Sequence, residues 1–435
     1  MGGRSLGWRR QGVKPPGRGP GGIIPRCEGQ MSGVKRALYI CYWALGDPLT
    51  ISSVMPSLPA LKKHLGLDRL TLVTVERRGS RFPKFEIPYD FVDHIAIEPW
   101  AQALPLAAKV FELLLMPRLI ERICRGQSVG LMVARCSLAG TIAYKIHRRT
   151  GVPFVVESFE PHSDYMANCG AWTKGGWKYR YARKYERLQM QHAWKLITVT
   201  ENYRRHLVAT EGVDEQRVAV IPCVTDLVRT RFDPELREKV RVRLGLGSHT
   251  TAIYLGKFGD LYYDDEAFRI LQDAFQFFEG LRVILLTPSN EAHIRRQMGR
   301  HQIPADRVLI LSVARGEVPG YLSAADFAYS FVRPHAASPF QCPIKHGEYW
   351  ACGLPFIAPD RIGDDYSVIA TEGGGANLDH DLGNVRECHA TIGRMLAVPD
   401  YRASIRKLAV RHKDAGVVDR EFARIFEGTH DTSGT

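Results

Sequence analysis

Two series of short apolar runs, each interleaved with amphipathic helical patterns, organise this chain. In the first series, runs of strand length stand at Arg36–Tyr42, Leu70–Val75, Phe91–Ile97, Val129–Ala134, Pro153–Glu157, Leu196–Thr200 and Val218–Pro222. Between them the 3.6-residue period predicts helices over Thr50–His64, Pro105–Cys124, Ser137–Arg149 and Asn202–Glu211. The second series has strands at Thr251–Gly256, Arg282–Thr287, Arg307–Ser312, Asp326–Val332 and Phe356–Ala358, with helices over Asp264–Phe278, Glu291–His301 and Val318–Ala325. Strands that alternate with helices make parallel sheets covered on both faces. The expected class is α/β, with two doubly wound, Rossmann-like domains joined near Asp233–Ser248. The division expected is a tail over 1–30, a first domain over 31–240, a second over 241–412, and a terminal segment over 413–435.

Composition refines this picture. A chain of 435 residues, 45% apolar and 24% charged, is globular and long for one core. Its nine cysteines are scattered and form no Cys-x-x-Cys pair, which argues against a disulfide framework or zinc site and fits a reducing cytosol. No apolar run is long enough to span a membrane, since the best, Ala101–Ile120, holds Lys109, Glu112 and two prolines. Of the net charge of +13, residues 1–30 carry +5, from six basic residues against Glu28. With nine glycines and four prolines and no periodic pattern, that segment is expected to be a disordered tail, or to precede a true start at Met31. No apolar stretch follows Arg9-Arg10 to make it an export signal.

One stretch carries the chemistry. Between the strands Asp326–Val332 and Phe356–Ala358, Pro343 marks a helix start and Gly353, with Pro355 after it, a helix stop. A helix that opens at the carboxyl end of a parallel strand aims its free N–H groups into the crevice where such sheets bind anions. Lys345 in the first turn adds a charge, and Glu348 one turn on offers an acceptor for sugar hydroxyls. The plainer alternative is a strand-helix-strand unit with a charged outer face.

The pattern Ser338-Pro…Pro343-x-Lys345-x-x-Glu348-Tyr-x-Ala-x-Gly-x-Pro355 resembles the donor-binding segment of two-domain GT-B glycosyltransferases, in particular the retaining group called family 4. The linker Ile221-Pro-Cys-Val-Thr-Asp226…Phe232-x-Pro234 is similar to that family's own. The resemblance spans about 36–426 and implies two domains facing across a cleft, with the donor on the second. It implies that Glu348 binds the ribose and that Ser338, Pro343, Ile344 and Lys345 surround the diphosphate. Family members often carry a second Glu eight residues before Glu348, and this chain has Phe340 there.

Further candidates stand at strand ends. Gly256, Lys257 and Gly259 leave the first strand of the second domain; glycine admits a ligand close to the backbone, and the resemblance makes Lys257 and Lys345 two sides of an anion clamp. His162, in the loop after Pro153–Glu157, corresponds to a family histidine near the reacting carbon, and the alternative is a turn histidine bonded to its neighbours. His162 and Lys257 are the catalytic candidates. Gly46, Arg135 and Glu160 are assigned to the acceptor side. No Asp-x-Asp motif stands in a suitable loop, and the adjacent pairs Asp264-Asp265 and Asp364-Asp365 read as helix starts or loop solvation, so no obligatory metal or other cofactor is expected.

Trp172–Lys195 interleaves seven basic residues with six aromatics against Glu186 alone. Such a helix suits an anionic membrane surface or RNA, or else packs its aromatics inward beneath a solvated basic face. The function expected from these readings is retaining transfer of a sugar from a nucleoside-diphosphate sugar to a saccharide or lipid-linked acceptor. The setting is cytoplasmic, at the inner membrane face if the membrane reading of 172–195 holds, and nucleic acid is not the expected partner. A nucleotide-sugar epimerase or hydrolase of the same fold, and a non-catalytic sugar-nucleotide-binding protein, are the competing readings.

Overall fold

The computed structural model describes residues 33–77, 82, 85–99 and 111–426. The expected tail over 1–30, the beginning of the helix expected over Pro105–Cys124, and residues 427–435 lie outside the described residues.

The first sheet has seven strands: β1 (Arg36–Cys41), β2 (Arg69–Val75), β3 (Val92–Ile97), β4 (Leu131–Arg135), β5 (Phe154–Glu157), β6 (Lys195–Thr198) and β7 (Val218–Val220), in the spatial order β3-β2-β1-β4-β5-β6-β7. The second has six: β8 (Thr251–Leu255), β9 (Arg282–Leu286), β10 (Val308–Leu311), β11 (Phe327–Tyr329), β12 (Phe356–Pro359) and β13 (Gly375–Leu378), in the order β10-β9-β8-β11-β12-β13. All pairings between these strands are parallel. Helices cover both faces of each sheet, so central strands such as β4 and β8 are buried at every position. In each sheet the order reverses direction beside the first strand, which places a crevice at the carboxyl ends there.

Beyond Phe356–Ala358 the second sheet gains a strand that was not expected, β13, and three expected segments take a different form. The helix expected over Thr50–His64 is two helices, Pro48–Val54 and Ser57–Leu65, because Pro56 has no N–H to continue the ladder and its ring clashes with the preceding turn. The expected linker Asp233–Ser248 contains the helix Pro234–Leu244, capped by Asp233, whose carboxylate accepts from Leu236 N–H at 2.9 Å, and ended by Gly245 at φ 62°. Its Val240 lies in the core of the second domain, and Arg241 donates to the carbonyls of Gly247, His249 and Ala324, so the helix belongs to that domain from its start. Six charged residues had hidden its period. The helix at Pro343 begins at Ile344, with the proline as the residue before the first turn.

At the end of the chain the helix Tyr401–His412 packs Ile405, Leu408 and Ala409 into the second domain. The following helix, Gly416–Phe426, crosses back and buries Val418, Phe422, Ile425 and Phe426 in the first, where Phe426 stacks on Trp194 at 5.6 Å. The chain therefore passes between the domains twice, and Thr225 N–H donates to Lys413 O at 2.8 Å where the two crossings meet. Among the described residues no helix is long and apolar enough to cross a membrane.

Candidate active site

β8 ends at Leu255, and Gly256 follows with φ 148°. A Cβ at Gly256 would stand 2.7 Å from the Tyr254 hydroxyl and 2.8 Å from Lys345 Nζ, so only glycine lets the strand end and that ammonium approach. Lys257 is exposed, and its carbonyl accepts a hydrogen bond from the Tyr254 hydroxyl. The loop turns at Gly259, φ 82°, where Tyr262 N–H donates to the Gly259 carbonyl at 2.9 Å. This turn brings the Tyr262 ring against Lys345.

The helix Ile344–Ala351 opens beside that loop. Pro343 offers no side-chain acceptor, so no side chain caps this end. Lys345 Nζ is buried without a hydrogen-bond partner, 5.1 Å from the Tyr254 ring centre and 4.6 Å from that of Tyr262. Burial brings its ammonium down from 10.5 to about 7, with Glu348 acting in the opposite sense. Glu348 is 4% exposed, and its carboxylate is bonded to the guanidinium of Arg315, from the turn after β10. Ser338 is buried and spends its hydroxyl inside the loop, accepting from His335 N–H at 2.8 Å.

Behind this helix lies a buried network. His346 bonds Ser330 Oγ at 2.7 Å and Asp365 Oδ2 at 2.9 Å, and Lys413 Nζ bonds Asp365 Oδ1 at 2.7 Å. Burial favours a neutral Asp365, but Lys413 and His346 outweigh it and hold the carboxyl well below its usual range. Gly347 packs on the first crossing: a Cβ there would stand 2.4 Å from Thr225 Oγ1. The helix that faces the crevice is thus wedged against that crossing.

In the first domain β5 ends at Glu157, which is buried and accepts from the Tyr39 hydroxyl at 2.7 Å and from Arg135 at 3.4 Å. Arg135 also lies over the Phe159 ring at 4.5 Å, so its charge is met inside the domain. The helix His162–Asn168 has its amino end held by Glu186, which accepts from Ser163 N–H at 2.7 Å and from the Ser163 hydroxyl at 2.6 Å. His162 Nδ1 stands 3.5 Å from Glu160 Oε1, and the ring meets Trp172 edge-on at 5.5 Å, an arrangement of neighbour contacts. One turn later Tyr165 meets His335 of the second domain at 5.9 Å. Gly46 sits in the loop after β1, where Leu45 N–H donates to Glu76 at 2.8 Å.

The structure therefore brings Gly256, Gly259, Lys257, Lys345, Ile344 and Glu348 to one end of the second sheet, and carries Glu160 and His162 to the facing end of the first. Arg135 and Gly46 stay within the first domain. Phe340 crosses between domains and packs against Tyr203 at 5.1 Å and His206 at 5.0 Å. Asp364 also crosses, accepting from Glu201 N–H at 2.6 Å and Asn202 N–H at 3.2 Å, while Thr200 caps the same helix by accepting from Tyr203 N–H. Asp264 pairs with His293, and Asp265 with His301. Among the described residues no group of three or more His, Cys, Asp or Glu is placed to hold a metal ion. Sequence reasoning missed Tyr262, Arg315 and Lys413; the first two stand just after strands of the second sheet, the position that had singled out Lys257.

Residues 65–223 match the glycosyl transferase 4-like domain. Sucrose-phosphate synthase from Thermosynechococcus elongatus superposes with a TM-score of 0.69 at 15% identity, covering 90% of this chain and 98% of that one. HepE from Anabaena, solved with UDP-glucose, does so with a TM-score of 0.63 at 15% identity, over 90% and 99%. The fold is GT-B. It is shared with a putative UDP-N-acetylglucosamine 2-epimerase from Listeria monocytogenes, TM-score 0.59 at 12% identity over 92% and 98%. No curated protein sequence matches this chain.

Proposed function

We propose that this GT-B chain is a glycosyltransferase that moves a sugar from a nucleoside-diphosphate sugar to a hydroxyl of a saccharide or lipid-linked acceptor. The observation that carries the reading is Lys345, a buried ammonium with no acceptor, at the uncapped start of a helix and one turn before the buried Glu348. Such a cation lacks an anion. A diphosphate on the Ile344–Lys345 amides would supply it, with Lys257 covering the exposed side and Glu348 exchanging Arg315 for the ribose hydroxyls. As the glycosidic bond breaks, charge grows on the leaving phosphate, so fixed donors act more strongly on the transition state than on the ground state.

Glu160 and His162 stand at the facing wall, suited to orient the transferred sugar and the acceptor. Retention, with the acceptor attacking the face the phosphate leaves, completes the reading and requires no metal. The solved UDP-glucose complex of HepE favours a uridine donor. The exposed Trp177, Lys178, Arg180, Lys184 and Arg187 of the helix Trp177–His192, with the exposed Leu114, Leu115 and Leu119 of the first domain, suit an anionic membrane surface on the cytoplasmic side. A lipid-linked acceptor would lie there.

The epimerase reading has support in the Listeria likeness. The deciding experiment incubates the protein with labelled UDP-sugars, with and without pooled lipid and saccharide acceptors. Acceptor-dependent transfer supports the proposal; isomerised donor or free sugar without an acceptor favours the epimerase or hydrolase. Donor binding without turnover favours a binding protein. Glu348→Gln should abolish the donor-induced rise in Tm while the empty protein stays folded.

A further inference from the structure

Cys223 and Cys342 are 119 residues apart in the chain, and they meet where it first passes between domains. Cys223 follows β7 in the crossing, and Cys342 immediately precedes Pro343 and the crevice helix. Cys223 N–H donates to Cys342 Sγ at 3.3 Å. Lys413 Nζ, from the second crossing, approaches the same sulfur at 3.5 Å while it bonds Asp365.

We propose that Cys223 and Cys342 are a redox site, whose reversible disulfide fastens the second domain to the first beside the crevice helix. An amide and an ammonium both aim at the Cys342 sulfur, the setting that stabilises a thiolate. In agreement, the bond from Cys223 lowers the Cys342 thiol against the effect of burial, with Lys413 assisting, whereas Cys223 and the other described cysteines are all raised. Cys342 is the attacking sulfur and Cys223 the resolving one.

The oxidant is a hydroperoxide. The Cys342 thiolate attacks its outer oxygen, the O–O bond breaks, and the departing alkoxide takes up the proton that the thiol gave. The sulfenic acid formed is attacked by the Cys223 thiol, making the S–S bond and releasing water. Two thiols and one hydroperoxide become a disulfide, an alcohol and water, with two electrons passing from sulfur to oxygen. The bond would remove one of the two anionic partners of Lys413 and tie the crossing to the helix start.

The test uses the full-length, reduced protein treated with hydrogen peroxide, alkylated and mapped by mass spectrometry. A Cys223–Cys342 cross-linked peptide, reversed by dithiothreitol, is expected, with a non-reducing Tm raised on the order of 5 °C. Cys223→Ser should abolish the cross-link and leave a sulfenic acid at Cys342 that dimedone traps. Free alkylation of both cysteines after peroxide, or cross-links only to other cysteines, overturns the proposal. The mapping of the unaltered protein decides the matter whether or not the variant folds, and does not depend on donor binding.

Discussion

The Lys345 ammonium lies 4.6 Å from the centre of the Tyr262 ring, and no acceptor among the described residues reaches it. The ring face supplies part of what water would have given, by cation–π attraction. It does not replace a counter-ion.

This group has a pH signature. In the unfolded chain Lys345 titrates near 10.5 and in the fold at about 7. Between these values the unfolded chain binds more protons, so this residue makes the protein more stable as pH rises from 7 towards 10.5. A bound diphosphate favours the charged form, so UDP binding at pH 8 should take up protons, and affinity should fall as pH climbs above 7. Calorimetry in two buffers of different ionisation enthalpy measures the uptake. Lys345→Met should abolish it and weaken UDP binding roughly 10- to 100-fold.

Gly256→Ala places a methyl group 2.8 Å from Lys345 Nζ at a backbone angle that disfavours alanine. The lysine must then leave its seat between the tyrosines. The expected result is a folded protein with Tm lowered by a few degrees and UDP affinity reduced at least as much as in Lys345→Met. An unchanged affinity would contradict the proposed seating of a phosphate beside β8.

The Asp365–Lys413 pair is 7% and 3% exposed, and removing Asp365 takes from the buried Lys413 its carboxylate partner. Asp365→Asn should cost about 3–5 kcal/mol in urea unfolding. Because the folded carboxyl titrates well below the 3.8 of the unfolded chain, its contribution is complete above that pH and is lost as pH falls through and below it. Acid unfolding of the variant should accordingly be less steep.

Phe340→Ala removes the apolar contact to Tyr203 and His206 across the domains. Since the side chain is only half-buried, a loss of about 2 kcal/mol is expected, short of the full core value. Faster protease cleavage near the crossing at 221–233 would report the loosened contact. Phe340→Glu should loosen it further, because an unpaired carboxylate would face two aromatic rings.

Glu348 and Lys345 were legible from spacing: a proline-marked start, a glycine stop and two charges one turn apart confine both to one short helix between strands. The helix Pro234–Leu244 was not, because its buried arginine satisfies itself on carbonyls brought from Gly247 and Ala324, and the sequence does not display such pairings. Phe340 reads in sequence only as a missing carboxylate. Its role as an inter-domain contact exists once Tyr203 and His206 are carried to it.

Alternation of apolar runs and helical periods determined the two parallel sheets, since local period and burial demand are properties of neighbouring residues. Which charges find partners is a property of distant ones. Only the folded chain gave Asp365 to Lys413, Glu157 to Arg135 and Glu348 to Arg315, and left Lys345 with aromatic rings alone, because each outcome depends on segments that meet only when the sheets and both crossings are in place.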